Sequence, residues 1–199
     1  MNGLTSVEDP EQYLLAQVRE SYGRVVYSQK THEKQADIYF SKHRWQQVAL
    51  TSLTAVSTGT FLAAVLQLLA SPEVVGLGTS FIALLVSAIS LATQRFKFAQ
   101  QADAHRITAS LLWDVRESYL SLIADLMAGA TSESDARGRR DALQVEAREV
   151  YSEAPRTTSK AFLKAGRGLK ANQEMTFTTQ EIDRFLPELL RLQDCEERA

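Results

Sequence analysis

The chain has 199 residues and a formal net charge of −2, so its length allows one ordinary domain, or a membrane hairpin with a modest helical domain. This charge balance carries no overall nucleic-acid signature, and no direct nucleic-acid binding is expected. The single cysteine, Cys195, excludes an intramolecular disulfide and fits a reducing compartment. No removable signal peptide is expected, because a polar stretch precedes the first apolar segment.

The N-terminal arm, residues 1–44, is predicted to form one long cytoplasmic helix that begins near Pro10, a residue suited to a first helical turn. Apolar or weakly polar residues recur along it every three or four positions, the spacing of a helix that packs along one side. They are Leu15, Val18, Tyr22, Val25, Gln29, His32, Ala36 and Tyr39.

Two segments without charged residues follow, and they predict a transmembrane hairpin over residues 45–94, with spans at 45–70 and 74–94. Each is long enough to cross a hydrocarbon core of about 30 Å as a helix. A buried hairpin in a soluble bundle is the alternative, but the half-polar remainder of the chain would cover it poorly. Basic residues flank the hairpin at its two ends and are absent from its turn, which predicts cytoplasmic N and C termini. They are Lys42, Arg44, Arg95 and Lys97.

Residues 95–199 are predicted to be cytoplasmic helices. Leu112, Val115, Tyr119, Leu122 and Leu126 repeat the helical spacing of the N-terminal arm, against which they should pack. Later helices are expected from the Ser132 cap to Glu153, over 159–171, and after the capping box of Thr178 and Glu181. The last is expected to carry Ile182, Phe185, Leu189 and Leu192 on one face, with a kink at Pro187. No strand pattern is present, so the fold class is all-α, and the three segments form a single unit.

Four stretches, with the hairpin, resemble the SLATT family of two-transmembrane effectors in order and spacing. They are YSQKTHEKQAD (residues 27–37), LLWDVRESYLSLIADL (111–126), APRTTSKAF (154–162) and MTFTTQEID (175–183). The resemblance covers nearly the whole chain. It implies an effector of the bacterial cytoplasmic membrane that oligomerises into a pore and depolarises infected cells, as part of a nucleotide-linked defence system. The resemblance also implies what activates the effector. The implied activator is a nucleotide second messenger, or a partner protein that synthesises or senses nucleotides or is a reverse transcriptase.

Polar residues on the first span are candidates for a pore lining. Gln47, Thr51, Thr54 and Thr58 fall within about 60° of one another on a helical wheel. Phe61, Leu62 and Val65 continue this face and are predicted to form a hydrophobic gate that closes by dewetting. Packing between membrane helices explains such residues equally well. It is the favoured interpretation of the similar stripe on the second span, formed by Ala83, Ser87, Ser90 and Gln94.

Five basic residues without an acidic neighbour mark the segment after Pro155. Arg156, Lys160, Lys164, Arg167 and Lys170 recur every three or four residues and are expected to share one helical face. Thr157, Thr158 and Ser159 lie where that helix starts, a position at which unpaired N–H groups attract anions. The strip is interpreted as a binding site for a nucleotide phosphate or a lipid headgroup. The alternatives are a solvated face, or pairing with acidic residues on neighbouring helices.

No catalytic, metal or cofactor site can be defended from the sequence, and the chain is not expected to be an enzyme. His32, His43 and His105 lack a second ligand type at metal spacing, and no Walker or dinucleotide-binding motif occurs. An oligomeric channel is therefore the first functional hypothesis. A membrane-anchored scaffold or signalling adaptor without conductance is the second.

Overall fold

The computed structural model describes residues 10–57, 65, 71–187 and 191. This part of the chain forms six helices and contains no strand, which confirms the all-α fold class. The helices are α1 (Pro10–Ser57), α2 (Pro72–Phe96), α3 (Phe98–Met127), α4 (Glu133–Glu153), α5 (Ser159–Lys170) and α6 (Thr179–Phe185).

Helices α1 and α3 form an antiparallel pair that holds most of the core. Every apolar residue predicted on the inner face of α3 is buried, from Leu112 to Leu126. The stripe on α1 is also confirmed for Val18 and Val25, although Leu14 fills the core and Leu15 only packs against its edge. On a helical wheel Leu14 lies about 20° from Val25, whereas Leu15 lies about 80° from it.

Helix α4 packs antiparallel to α3 and contributes a third helix to the core that α1 and α3 form. The turn before it contains Gly129 in the left-handed region, with φ of 62°, a conformation that costs glycine little. The predicted cap of α4 is confirmed, since the Ser132 hydroxyl accepts a hydrogen bond from the backbone N–H of Asp135. Leu143 and Ala147 then bring the buried face of α4 onto the core.

Helix α5 packs against α1 through small side chains. Ala161, Ala165 and Gly168 are buried on its inner face, and small residues at these positions allow the two helix backbones to approach closely. The predicted bounds of this helix are confirmed to within one residue.

Helix α6 departs from its prediction. Its capping box is confirmed, but the helix ends at Phe185 instead of continuing with a kink through Pro187. The reason is that a proline disfavours helical geometry in the residue before it, and Leu186 is extended, with φ of −90° and ψ of 146°. The expected apolar face is not covered, since Phe185 is 81% exposed. Leu189 and Leu192 lie outside the described residues.

From the packed helices the chain continues through α1 toward the first predicted span and returns through α2. Helix α1 is continuous for 48 residues, about 72 Å at the rise of an α-helix. Within the part of the chain that the structure describes, one helical stretch, Gly76–Met127, is long and apolar enough to cross a membrane, and its most apolar portion is not buried in the chain. Much of the first predicted span, residues 58–64 and 66–70, lies outside the described residues.

Candidate functional site at the base of the spans

An aromatic cluster lies where the two predicted spans meet the other helices. Lys97 separates α2 from α3 in a left-handed conformation, with φ of 42°. The neighbouring residues Phe96 and Phe98 stack their rings on each other, with centroids 5.5 Å apart. Tyr39 of α1 stacks on Phe98 with centroids 6.0 Å apart. These contacts therefore hold the end of α2 and the start of α3 beside Tyr39 of α1.

Lys42 is positioned by the same rings. Its Nζ atom lies 5.4 Å from the centroid of Tyr39 and 5.3 Å from that of Phe98, within the range of a cation–π contact. The lysine borders a groove of about 600 Å³ between α1, the end of α2, the start of α3, and α5. In the sequence alone, Lys42 is only one of the basic residues that flank the hairpin.

Two lysines of the predicted basic strip reach this groove from α5. Lys160 and Lys164 line it together with Lys42, while Trp45, Ala49, Ile89 and Ala92 supply much of its apolar lining. Three cations thus converge beside an apolar surface. Arg167 and Lys170 lie on α5 without lining the groove, and Lys170 is instead 5.9 Å from the Tyr27 ring.

The start of α5 is tied to α1 by a buried amide. Gln35 Oε1 accepts hydrogen bonds from both the backbone N–H and the hydroxyl of Thr158, at 3.0 and 2.7 Å. The Thr158 hydroxyl also accepts a bond from the N–H of Ala161 and so caps the helix. The backbone N–H and the hydroxyl of Thr158, which lie at the anion site predicted from the sequence, are therefore already hydrogen-bonded to Gln35. Arg156 precedes the helix, which corrects the expectation that all five basic residues share one helical face.

The other end of α5 is tied to α1 by ion pairs. The carboxylate of Glu174 accepts hydrogen bonds from Lys34. It also forms an ion pair with Lys30, whose Nζ lies 2.9 Å from Oε2. Hydrogen bonds from Lys34 and then Lys30 lower the pKa of Glu174 to about 2. Burial alone would lower the pKa of Lys30, but its bonds to Glu33 and Glu174 outweigh burial and raise it. None of the five strip cations forms an ion pair with any described residue.

A pair of histidines lies directly behind the aromatic cluster. His32 of α1 and His105 of α3 are 4% and 1% exposed, and their Nδ1 atoms are 3.0 Å apart. Tyr39 stacks on His105 with centroids 5.6 Å apart. Sequence reasoning missed this pair, although a step of one heptad back from Leu112 on the inner face of α3 reaches His105. No group of three or more potential metal ligands occurs among the described residues.

The predicted pore-lining residues lie on an exposed side of α1. Gln47, Thr51 and Thr54 are exposed, whereas Gln46 and Ala49, on another side of the helix, are half-buried. Since α1 packs against α2, the polar stripe is not the surface that holds the two spans together.

The remaining residues of that face are only partly described. Thr58, Phe61 and Leu62 lie outside the described residues, and Val65 is helical and 37% exposed. On the second span, Ser90 is half-buried, while Ala83, Ser87 and Gln94 are exposed. Three of the four residues of this second stripe are therefore not packed against α1.

One of the comparisons with known proteins identifies a family. Residues 14–181 match the family model described as SMODS and SLOG-associating 2TM effector domain family 4. No match was found among curated proteins or among solved structures.

Proposed function

Because the chain belongs to the SMODS and SLOG-associating 2TM effector domain family 4, we propose that it is a pore-forming membrane effector of a bacterial nucleotide-linked defence system. It oligomerises and permeabilises the inner membrane when the system is triggered. The family description supports an effector with two membrane spans that works with nucleotide-related partners. The pore is the further step that this proposal takes.

The aromatic cluster supports a hairpin with both termini in the cytoplasm. Tyr39 precedes the first predicted span and Phe98 follows the second, and their rings stack at 6.0 Å. The chain between them must therefore leave this level and return to it. The basic residues Lys42, Arg44, Arg95 and Lys97 belong to this same end, as expected for the cytoplasmic side of a multi-pass inner-membrane protein.

The observation that carries the pore proposal is the exposed polar stripe of α1. Gln47, Thr51 and Thr54 lie within the first predicted span, yet α1 does not turn them toward α2. Polar groups that face lipid are unfavourable in the hydrocarbon core. Water in a channel, or a neighbouring subunit, provides a polar surface that lipid does not.

An oligomer follows from the size of the hairpin. Two helices cannot enclose a water-filled path, so several protomers must place their α1 stripes around a common axis. Uncharged hydroxyl and amide groups form a wettable and weakly selective lining, and Phe61, Leu62 and Val65 further along the face form the gate. In this proposal the effector acts through conductance and not through catalysis.

The cytoplasmic helices receive the trigger in this proposal. A nucleotide messenger, or a partner that makes or senses nucleotides or is a reverse transcriptase, shifts the packing of α1 against α3. Because α1 runs without interruption from this pair into the predicted span, a displacement in the cytoplasm is transmitted to the stripe.

The test is conductance of the purified protein in liposomes. Assembled protein should dissipate a potassium gradient or release a small dye, and its mass in detergent should exceed that of a monomer. Oligomers that bind liposomes without releasing either probe would instead favour the membrane-anchored scaffold or signalling adaptor. Solubility without detergent would remove the membrane premise of both functions.

A further inference from the structure

We propose that the groove at the base of the spans binds one anionic phospholipid, with the headgroup phosphodiester at Lys42, Lys160 and Lys164 and an acyl chain along Ala49, Ile89 and Ala92. The site does not depend on pore formation, since a scaffold with the same hairpin would contain it. It assigns separate roles to residues of the basic strip and adds Lys42, which lies outside that strip.

The charges of the groove favour a phosphate. Its lining contains three lysines and no acidic residue, and none of these lysines forms an ion pair with any residue that the structure describes. They come from two helices distant in sequence, and each is held near the others by the fold. Lys42 lies against two aromatic rings, while Lys160 and Lys164 are one turn apart on α5, whose start is fixed by Gln35.

The apolar part of the groove favours a lipid over a soluble phosphate compound. Ala49 belongs to the first predicted span and Ile89 and Ala92 to the second, so this lining continues from the cytoplasmic boundary into the membrane. The groove has about 600 Å³, which accommodates a headgroup and the upper part of a chain. Among the uncharged lining residues only Ser41, Trp45 and Gln46 carry polar side-chain atoms, so much of a nucleotide's base and sugar would lie against surface that offers no hydrogen bond.

The tryptophan at the groove marks its depth. Trp45 lines the groove and is 75% exposed, and tryptophan is enriched where membrane helices cross the headgroup region. The three lysines therefore lie at the level of the phosphates of the cytoplasmic leaflet, where basic residues attract anionic lipids.

Trp45 also provides the measurement. The full-length protein with Trp113→Phe retains a single tryptophan and is reconstituted in phosphatidylcholine vesicles. Small amounts of phosphatidylglycerol or phosphatidylcholine, each brominated near the headgroup end of its chains, then quench Trp45 on contact. We expect clearly stronger quenching by the phosphatidylglycerol, and equal quenching by the two lipids would overturn the proposal.

A pair of charge-matched variants separates the groove from general electrostatic attraction. Combined Lys42→Gln, Lys160→Gln and Lys164→Gln should remove the preference, with a loss of roughly fivefold in relative association for each lysine. The control combines Arg156→Gln, Arg167→Gln and Lys170→Gln. These residues lie outside the groove, so this variant should retain most of the preference for phosphatidylglycerol. Similar losses in the two variants would show diffuse attraction and overturn the site.

Two further arms keep the result decisive. Replacement of the three groove lysines by arginine retains the charges and should retain the preference even if the glutamine variant fails to fold. Loss of preference in a folded arginine variant would contradict the proposal. Millimolar ATP or a cyclic dinucleotide should not change the quenching by brominated phosphatidylglycerol. If either compound abolishes the preference, the groove binds a soluble phosphate and the lipid assignment is wrong.

Discussion

His32 and His105 face each other across the helix pair α1 and α3 with their Nδ1 atoms 3.0 Å apart. At this distance one ring donates its Nδ1 proton and the other accepts it through a lone pair, so the two neutral rings adopt different tautomers. Burial, and then the neighbouring His105, lower the pKa of His32 from 6.5 to about 4, and burial also lowers the pKa of His105. Burial therefore favours the neutral form of both rings.

Acidification should destabilise the protein through this pair. Because the pKa of His32 is lower in the folded chain than in the unfolded chain, its contribution is fully present above pH 6.5 and is lost as the pH falls toward 4. A pKa shift of this size lowers the free energy of unfolding by roughly 3 kcal/mol at the acidic limit. The measurement is thermal unfolding in detergent, followed by circular dichroism between pH 7.5 and pH 4.

The control for this prediction removes the titrating rings. The double variant His32→Asn and His105→Asn keeps polar atoms near the Nδ1 positions and should be less stable at neutral pH, but with a flatter pH dependence than the wild type. His43→Asn, which changes the remaining histidine, should leave the dependence unchanged. An equally steep loss in the double variant would assign the acid sensitivity to other groups.

The histidine pair also shows where inference from sequence stops. The spacing of Leu112 to Leu126 correctly predicts the inner face of α3, and His32 is on the predicted face of α1, because helical periodicity is a local property. Which residue of α1 lies opposite which residue of α3 depends on the register of the antiparallel pair. Core volume and helix drift decide this register, and neither is encoded in the spacing.

The groove illustrates the same limit. The caps at Ser132, Thr158 and Thr178 follow from hydrogen bonds within a few residues, so sequence predicts them well. The meeting of Lys42 with Lys160 depends on how α5 crosses α1, and the small residues that permit the close contact do not specify the crossing. The end of α6 is a further difference from the prediction. The sequence pattern predicts a kink at Pro187, whereas the helix ends before this proline.

Glu174 should hold the segment after α5 against α1. Glu174→Gln removes the negative charge that Lys30 and Lys34 share, and we expect several-fold faster amide hydrogen exchange in α5. Because the pKa of Glu174 is lowered from 4.5 to about 2, this contact should persist down to about pH 4.5 and weaken only below it. The control is Glu33→Gln, whose ion pair with Lys30 lies within α1. Equal effects of the two variants would contradict a docking role for Glu174.

Thr158 should stabilise the protein through two hydrogen bonds made by one hydroxyl. Thr158→Val removes the cap of α5 and the bond to Gln35, and we expect a loss of about 1–2 kcal/mol. The exposed neighbour Thr157, changed to valine, provides the matched control and should cost little. The measurement is thermal unfolding at neutral pH, and a loss no greater than that of the control would show that the cap contributes nothing measurable.

The proposed gate predicts a leak when it is made polar. Leu62→Ser should let water wet the narrowest part of the face, so that oligomers in liposomes conduct potassium without any trigger. Leu62→Ile keeps the site apolar and should remain closed. A serine variant that assembles normally and stays as tight as the wild type would show that the gate lies elsewhere.

The polar stripe predicts that a bulky residue blocks conduction on one side of α1 only. Thr51→Phe places a ring in the proposed lining and should reduce ion flux per assembled oligomer several-fold. Ser52→Phe adds the same ring to an exposed position about 100° away on the helix. Because that position is not part of the stripe, flux should be nearly unchanged. Both variants must be compared at equal oligomer content, measured by mass in detergent.

The comparison of these two variants separates a water-filled lining from a contact between subunits. If the stripe packs against a neighbouring protomer, Thr51→Phe overfills that contact and should reduce the oligomeric fraction. If the stripe faces water, the oligomer remains intact and only its conductance falls. Equal inhibition by Thr51→Phe and Ser52→Phe in intact oligomers would contradict both arrangements. The permeation path would then have to be sought on α2, where Ser87 and Gln94 are also exposed.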